Sequence, residues 1–402
     1  MGEKIVSSSP TEYKTTKFRF VELILFMFIG LMNQVIWVSF SPIVVESKAF
    51  YGVSEFWIVF LAASYMVAYI PVNFPACWMI DKYGLKWGVG VGVILTGLFG
   101  LIRGIFAANF VIVVISQIMC AIGQPFLLNS FTKLASTWFP EKEKATASGL
   151  GTIATLIGAI VAMLVPGMLG EGFDIGKLLL WYGIISFVSM GLFLIFAKEK
   201  PEFAPNPYAD KTKALATKGT KDLFKIKDFN LLLLMLFFGL GAFNAITTKI
   251  DLIFDPTWDS GLIGGFMIIG GIFGAIILSG ISDAKHKRKI FINIAMMSAV
   301  PLCILLAIIN TFWIVCAIGF IFGFLLVSCL PVGLTYAAEI TYPAPEETSN
   351  GLLMVLGQIG GLLLLIVPVD FLMYVVAGLF LIGGILSFLI EDTDVHEKRR
   401  LQ

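Results

Sequence analysis

The chemistry available to this chain rests on neutral amides and aromatic rings, because its ionisable side chains avoid the middles of its long apolar stretches. Asn33 and Trp37 are four residues apart in one such stretch, which places them on one helical face with Ser41 a turn further on. An asparagine in hydrocarbon needs a polar partner, so that face points into a bundle or a wet cavity. A tryptophan face attracts a desolvated cation better than other side chains do. Trp37 is therefore a candidate wall for a cationic group, the competing reading being a packing or lipid-facing ring. Gln117 and Gln124, seven apart, share another face; Gln358 lies among glycines in a later run, and Asn244 shares a face with Thr248 and Asp251. The competing reading of such amides is interhelical hydrogen bonding, worth about 1 kcal/mol each.

The charges that do enter apolar runs stay near their ends. Lys133 and Glu339 fall close to run ends, with Asp81 and Asp283 at adjoining ends. These read as gate ion pairs, broken and remade during a conformational change, or alternatively as snorkelling side chains. Glu22 and Lys249 are expected to snorkel, and Asp370 to sit at a boundary without a task. Asp251 either attracts cations or is simply an exposed helix-end carboxylate. No carboxylate, lysine or histidine is evident at the middle of any apolar run, so no site for a mid-run proton relay is expected. The five cysteines (Cys77, Cys120, Cys303, Cys316, Cys329) all lie in apolar runs and read as small core residues. With only His286 and His396 beside them, both in charged segments, no metal site, haem site, cofactor or disulfide scaffold is expected.

These residues need long apolar elements to position them. Apolar residues make up 58% of the 402 and charged ones 14%, and the mean hydropathy is +0.92. That leaves too little polar surface to coat a water-soluble fold. The balance of 28 basic against 27 acidic residues leaves no surplus to neutralise a nucleic acid. A spanning helix needs about 20 apolar residues. Such segments run over 18–45, 53–80, 87–107, 110–138, 145–169, 177–197, 228–254, 260–282, 289–309, 312–341, 348–368 and 371–390. The polar start from Met1 to Thr16, and a first run too long and broken by Asn33 and Gln34, argue against a cleavable signal peptide.

Twelve crossings place both termini on one side. On the opposite side lie only Lys48, Arg103 and Lys177; Lys133 and Lys249 fall inside helices, and every other lysine and arginine shares the side of the tails. Positive charge stays cytoplasmic, so both termini are expected there. The proline- and lysine-containing stretch 198–227 reads as a cytoplasmic linker between residues 1–197 and 228–402, each a six-helix half. An internal repeat supports the division. Asp81-Lys82-Tyr83-Gly84-Leu85-Lys86 recurs as Asp283-Ala284-Lys285-His286-Lys287-Arg288, 202 residues on. Phe139-Pro140-Glu141 with Ser148-Gly149-Leu150 recurs as Tyr342-Pro343-Ala344 with Asn350-Gly351-Leu352. An offset of 203 residues, that of Pro140 and Pro343, pairs Thr155 with Gln358 across the repeat axis, where such folds place substrate.

This arrangement, with Asp-Lys-x-Gly-x-Lys after the second helix, resembles the major facilitator superfamily. Cys77 stands where that signature usually has glycine, and 149–170 lacks the Gly-Pro-x-x-Gly-Gly run of drug/proton exporters. Within it the chain resembles the feline leukaemia virus subgroup C receptor-related (FLVCR) carriers. The resemblance is carried by Asn33 to Trp37, Tyr65 to Pro71, Phe74 to Asp81, Gly123 to Phe126, Lys133 to Phe139, Glu339 to Pro343 and Gly357 to Ile359. It implies an all-α membrane protein of twelve helices in two six-helix halves that carries an amine or organic cation such as choline or ethanolamine. It also implies a substrate site of Trp37, Gln124, Thr155, Asn244 and Gln358, with Trp37 as cage tryptophan and Asn244 where the family has a cage tyrosine; Asn33 joins that candidate site by the face it shares with Trp37. Asp81, Lys82, Gly84, Lys86, Lys133, Asp283 and Glu339 are assigned to the gate. A haem or porphyrin carrier and a non-transporting sensor are the alternatives; an enzyme is disfavoured, for want of a nucleophile–base or metal constellation. The expected partners are a small-molecule substrate and the bilayer, with no nucleic acid, and the protein is expected to be a multi-pass monomer in the plasma or inner membrane.

Overall fold

The computed structural model describes residues 15–170, 172–203, 205, 220–285, 287–342 and 346–391. The expectations placed on His286, His396, most of the linker, Pro343 and Ala344, and the outermost tails lie outside the described residues.

Within them the chain is helical throughout, as its long apolar runs demand. Helix α1 covers Phe18–Val38 and ends before Ser39; a 3-10 turn at Ser41–Ile43 and a separate short helix, Val44–Tyr51, follow it. The run expected over 18–45 is thus helical but interrupted after Val38, because Pro42 cannot continue the helix ladder. A 51-residue helical stretch, Glu55–Ile105, comes next. At about 1.5 Å per residue it is more than twice the thickness of a bilayer core, so it must cross twice. Its backbone turns at Gly84 (φ 82°, ψ −171°), dividing it into α2 (55–83) and α3 (85–105). The carboxylate of Glu199 lies where a side chain at residue 84 would begin, and accepts from the backbone nitrogens of Leu85 (2.7 Å) and Lys86 (2.8 Å). Only glycine satisfies both that φ and that close approach.

Helix α4 is Phe110–Trp138, bent at Asn129 just after Pro125. Asn109 caps it, accepting from Val111 and Ile112. Then come α5 (Lys144–Leu169), α6 (Ile175–Phe196, capped by Asp174), α7 (Lys227–Thr248), α8 (Ser260–Lys285), α9 (Lys289–Ile308), α10 (Phe312–Thr341), α11 (Glu346–Leu364) and α12 (Val369–Ser387). Twelve crossings are thus present among the described residues, in two six-helix halves. Apolar side chains such as Ile195, Ile276 and Ile385 lie exposed on the outer surface, as lipid requires. The exposed tryptophans Trp57, Trp87, Trp181 and Trp313 stand near helix ends, where their amphipathic rings suit the membrane interface.

Small residues set the closest approaches. A side-chain carbon added at Gly270 or Gly274 of α8 would strike the carbonyls of Phe320 and Phe324 on α10. The five cysteines are buried, as expected of core residues. Contacts between the halves are concentrated in two seams, α5 against α8 and α2 against α11.

Candidate functional site

Two groups of residues border the seams. In the first, α1 presents Trp37, half-buried, with its indole Nε1 donating to the carbonyl of Ala62 on α2 (3.2 Å). That bond fixes the ring against Tyr65, centroids 6.3 Å apart and planes tilted 36°. Tyr65 is 1% exposed, yet its hydroxyl has no hydrogen-bond partner among the described residues. Tyr65 stands one turn before Tyr69 on the same face of α2 and was not among the expected site residues.

In the second group, Asn244 of α7 donates through Nδ2 to Oε1 of Gln358 on α11 (3.1 Å), both side chains buried. One turn beyond Gln358, a side-chain carbon at Gly361 would lie 3.0 Å from the sulfur of Met66 and 3.1 Å from Cβ of Asn244. Met66 follows Tyr65 on α2, so that helix carries one residue to each group. Gln124 on α4 is 4% exposed, and its amide has no hydrogen-bond partner among the described residues. Thr155 donates back to the Thr152 carbonyl (2.6 Å), and its methyl faces Gly30 of α1.

Asn33 has a different task. It is fully buried, and its amide donates to Thr96 Oγ1 (3.0 Å) and the Cys120 carbonyl (3.1 Å), tying α1 to α3 and α4. The need of an intramembrane asparagine for partners is met inside one half. Gln117 likewise turns inward, donating to the Ile36 carbonyl (3.1 Å) and accepting from Arg103 (2.6 Å).

The charged residues of the expected gate form two clusters, each within one half. Lys133 on α4 reaches Asp81 at the end of α2 (2.8 Å) and the Ile80 carbonyl (3.0 Å). Arg288 bridges Asp283 and Glu339 (2.9 Å) and donates to Ser282 (3.1 Å). The two repeat aspartates therefore find their cations differently. Asp81 takes one from a neighbouring helix, Asp283 one from its own loop, at the position 202 residues after Lys86. Lys82 lies over the Trp78 and Tyr83 rings (4.6 and 5.0 Å), and Lys86 over Trp87 (5.8 Å).

Three end charges depart from expectation. Glu22 does not snorkel: it is fully buried and accepts from the Lys198 backbone nitrogen. Lys249 is 7% exposed and donates to the Val367 carbonyl (2.8 Å), in the turn between α11 and α12. Asp251 joins the halves at the end remote from the Lys133 and Arg288 clusters, accepting from Val45 N (3.0 Å) and Ser260 Oγ (2.8 Å). Burial raises the carboxyl of Asp251 above its ordinary value of 3.8. At the same end Gly261 of α8 lies directly beneath the Met163 carbonyl of α5.

Every charged side chain in the described spanning helices lies within roughly two turns of a helix end or of the Gly84 break. Among the described residues the middle of the bundle offers rings, amides, hydroxyls and thiols, and no charged side chain.

Comparison with known proteins gives a consistent picture. Residues 23–365 match the family model of the Major Facilitator Superfamily. The chain is 30% identical over 375 residues to the choline/ethanolamine transporter FLVCR2 of Rattus norvegicus, covering 87% of this chain and 68% of that one. It is 28% identical over 387 residues to the choline/ethanolamine transporter FLVCR2 of Homo sapiens (89% and 73% covered). Among solved structures it resembles a D-xylose–proton symporter, with TM-score 0.74, 13% identity, and 94% and 99% of the two chains covered. It also resembles an inward-facing, unoccupied bacterial homologue of the human lysosomal transporter Spinster (TM-score 0.73, 13% identity, 94% and 97% covered). At such identities the structures testify to the fold alone.

Proposed function

Since the chain belongs to the Major Facilitator Superfamily, and within it to the FLVCR-type carriers, we propose that this transporter moves a small amine or organic cation of the choline/ethanolamine class. Movement is by alternating access and is driven by the substrate's own gradient. The observation that carries the reading is the neutral interior. Trp37 stands against Tyr65, Asn244 pairs with Gln358, and no charged side chain of the described spanning helices lies more than roughly two turns from a helix end or the Gly84 break. A cation there is held by ring quadrupole and amide oxygens. That suits a weakly hydrated alkylammonium, whereas a metal ion keeps its water too firmly. The names of the curated relatives support the same class.

The two halves are taken as residues 1–197 and 228–402, joined by 198–227, with the lysine-rich end and both termini in the cytoplasm of a cell-limiting membrane. The lysine and arginine distribution supports that orientation. The protein acts as a monomeric carrier and not as an enzyme. Trp37, Gln124, Thr155, Asn244 and Gln358 form the substrate site, with Asn33 supporting α1 from behind. Asp81, Lys82, Gly84, Lys86 and Lys133, with Asp283 and Glu339, brace the cytoplasmic ends. The test is uptake of labelled choline and ethanolamine into proteoliposomes without a sodium or proton gradient. Uptake that equilibrates and is insensitive to imposed ion gradients is expected. No uptake, or accumulation only with an imposed proton gradient, overturns the reading.

A further inference from the structure

The two halves differ where each turns after its second helix. In the first half Gly88, at the start of α3, lies against α2. A side-chain carbon there would stand 2.7 Å from Cα of Ile80 and 2.8 Å from the Met79 carbonyl. The residue 202 positions on is Ile290, in the first turn of α9, and it is exposed. Glycine permits such an approach between helices and isoleucine forbids it. Accordingly α8 and α9 scarcely touch among the described residues: α8 packs on α5 and α10, and α9 on α10 and α12. Between them lies a cavity of about 560 Å³, lined by Ile281 and Lys285 of α8, Lys287 of the connection, and Ile290, Phe291 and Ile294 of α9. That volume falls in the range of small-molecule sites.

The lining has two characters. Ile281, Ile290 and Ile294 are exposed on the lipid-facing surface. Lys285 and Lys287 are also exposed, and neither ammonium has an ion pair or hydrogen bond among the described residues. The nearby acids Asp283 and Glu339 are committed to Arg288, and no acid lines the cavity. Ser282 Oγ donates to the Lys287 carbonyl (2.9 Å), and the Lys287 nitrogen donates to the Ser282 carbonyl (3.3 Å). The backbone of Lys287 is thereby held against the end of α8, close to Lys285. At the corresponding positions the first half carries Tyr83 and Leu85, without charge.

An apolar cleft that ends in two unpaired cations complements an amphiphile with an anionic head. A free anion makes no use of the isoleucines, and a zwitterionic head brings a cation of its own towards the lysines. We propose that the cleft between α8 and α9 binds one anionic glycerophospholipid, its phosphate at Lys285 and Lys287 and a chain along Ile281, Ile290 and Ile294. The lipid fills the wedge that Ile290 holds open and ties α8 to α9 beside the Arg288 cluster. The site is separate from the substrate-lining groups and does not depend on which substrate is carried.

The experiment is native mass spectrometry of the purified, delipidated full chain in detergent. It is titrated with dioleoylphosphatidylglycerol, dioleoylphosphatidylcholine or glycerol phosphate. The unaltered protein should retain one phosphatidylglycerol, about tenfold or more tightly than phosphatidylcholine, and no glycerol phosphate. Lys285→Gln with Lys287→Gln should weaken phosphatidylglycerol binding about thirtyfold, from roughly fivefold per lysine. Lys142→Gln with Lys200→Gln removes equal charge from exposed lysines outside the cavity and should leave binding unchanged. Ile294→Trp obstructs the cleft without altering charge and should weaken the lipid severalfold. Equal affinity for the two lipids overturns the proposal, as do equal losses in the two lysine pairs. Glycerol phosphate bound as tightly as lipid, or unchanged lipid binding in Ile294→Trp, overturns it too. Should one variant fail to fold, the other and the lipid comparison on the unaltered protein decide.

Discussion

Replacing Trp37 by alanine should weaken binding of choline about five- to thirtyfold. The magnitude follows from the ring geometry. With centroids 6.3 Å apart, Trp37 and Tyr65 are too close for an ammonium between them, since a methyl group needs about 3.5–4 Å from each ring. The cation therefore meets one face of Trp37, and a single desolvated cation–π contact contributes about 1–2 kcal/mol. The substitution also removes the indole bond to the Ala62 carbonyl and the contact with Tyr65. Those losses lower stability, by about 2 kcal/mol for a half-buried ring, without being specific to charge. The assay must separate the two effects. Calorimetric titration of the unaltered protein, Trp37→Ala and Trp37→Phe with choline and with its uncharged isostere 3,3-dimethyl-1-butanol does so. Choline should lose affinity in Trp37→Ala while the isostere loses much less, and Trp37→Phe should fall between. Unchanged choline affinity in Trp37→Ala, or equal losses for both ligands, would refute the cation–π reasoning and favour an amphiphile such as a porphyrin.

Asn244→Tyr gives up the 3.1 Å bond to Gln358 but adds a ring; the choline-to-ethanolamine affinity ratio should rise about fivefold, from roughly 1 kcal/mol of added cation–π attraction, as competition binding would show. Asp81→Asn leaves Lys133 without its ion partner at 2.8 Å, in a pair only 14% and 17% exposed. It should cost about 1–3 kcal/mol of stability, and slow turnover in liposomes more than it weakens binding, because Asp81 is about 20 Å from the midplane. An affinity defect with intact turnover would exclude that role. Gly84→Ala must hold alanine at φ 82° and displace Glu199; a loss of about 1–3 kcal/mol is expected in thermal melts, and an unshifted melt would count against the close approach. Burial raises the Asp251 carboxyl above 3.8, with Glu46 and Asp259 as its acidic neighbours. Opening this end hydrates the group and returns its value towards 3.8, so the closed form binds the extra proton. Closure should strengthen as pH falls through the window just above 3.8, read by a fluorophore pair across the α5–α8 seam, and Asp251→Asn should flatten that dependence.

The spans were legible because twenty apolar residues have one use in a bilayer, and α4 over 110–138 and α10 over 312–341 were read to the residue. What hydropathy could not supply was termination by geometry. Pro42 divides the first run, while Gly84 joins α2 and α3 through a break one residue long. At the candidate site, the face shared by Asn33 and Trp37 was read correctly as polar and inward, but four-residue spacing does not say which inward. Asn33 looks into its own half and Trp37 towards α2. Likewise, the sequence showed Arg103 only as one of three basic residues on the less basic side, whereas it is fully buried. Burial of its guanidinium is a fact of packing between helices and leaves no local pattern.

Gln358 and Gly361 stand three residues apart on α11, hence on one face and within a single turn. The first holds Asn244; the second packs on Met66 of α2, in one of the two seams between the halves. A ligand that draws Gln358 away from Asn244 therefore acts on the same turn of α11 that contacts the opposite half. At the far end, by contrast, the halves meet through the Asp251 cap and glycine contacts around Met163, and no substrate-lining residue takes part. A ligand shifts a conformational equilibrium only by what it binds differently in the two states. The Asn244–Gln358 pair, made in this state and exchangeable for a substrate hydroxyl, is where that difference can arise. The ring of Trp37, held by the Ala62 carbonyl of its own half, supplies affinity common to both states. On this division Trp37 variants should change affinity chiefly, and Gln358→Ala should change maximal transport rate more than affinity; the reverse pattern in liposome uptake would place the switch elsewhere.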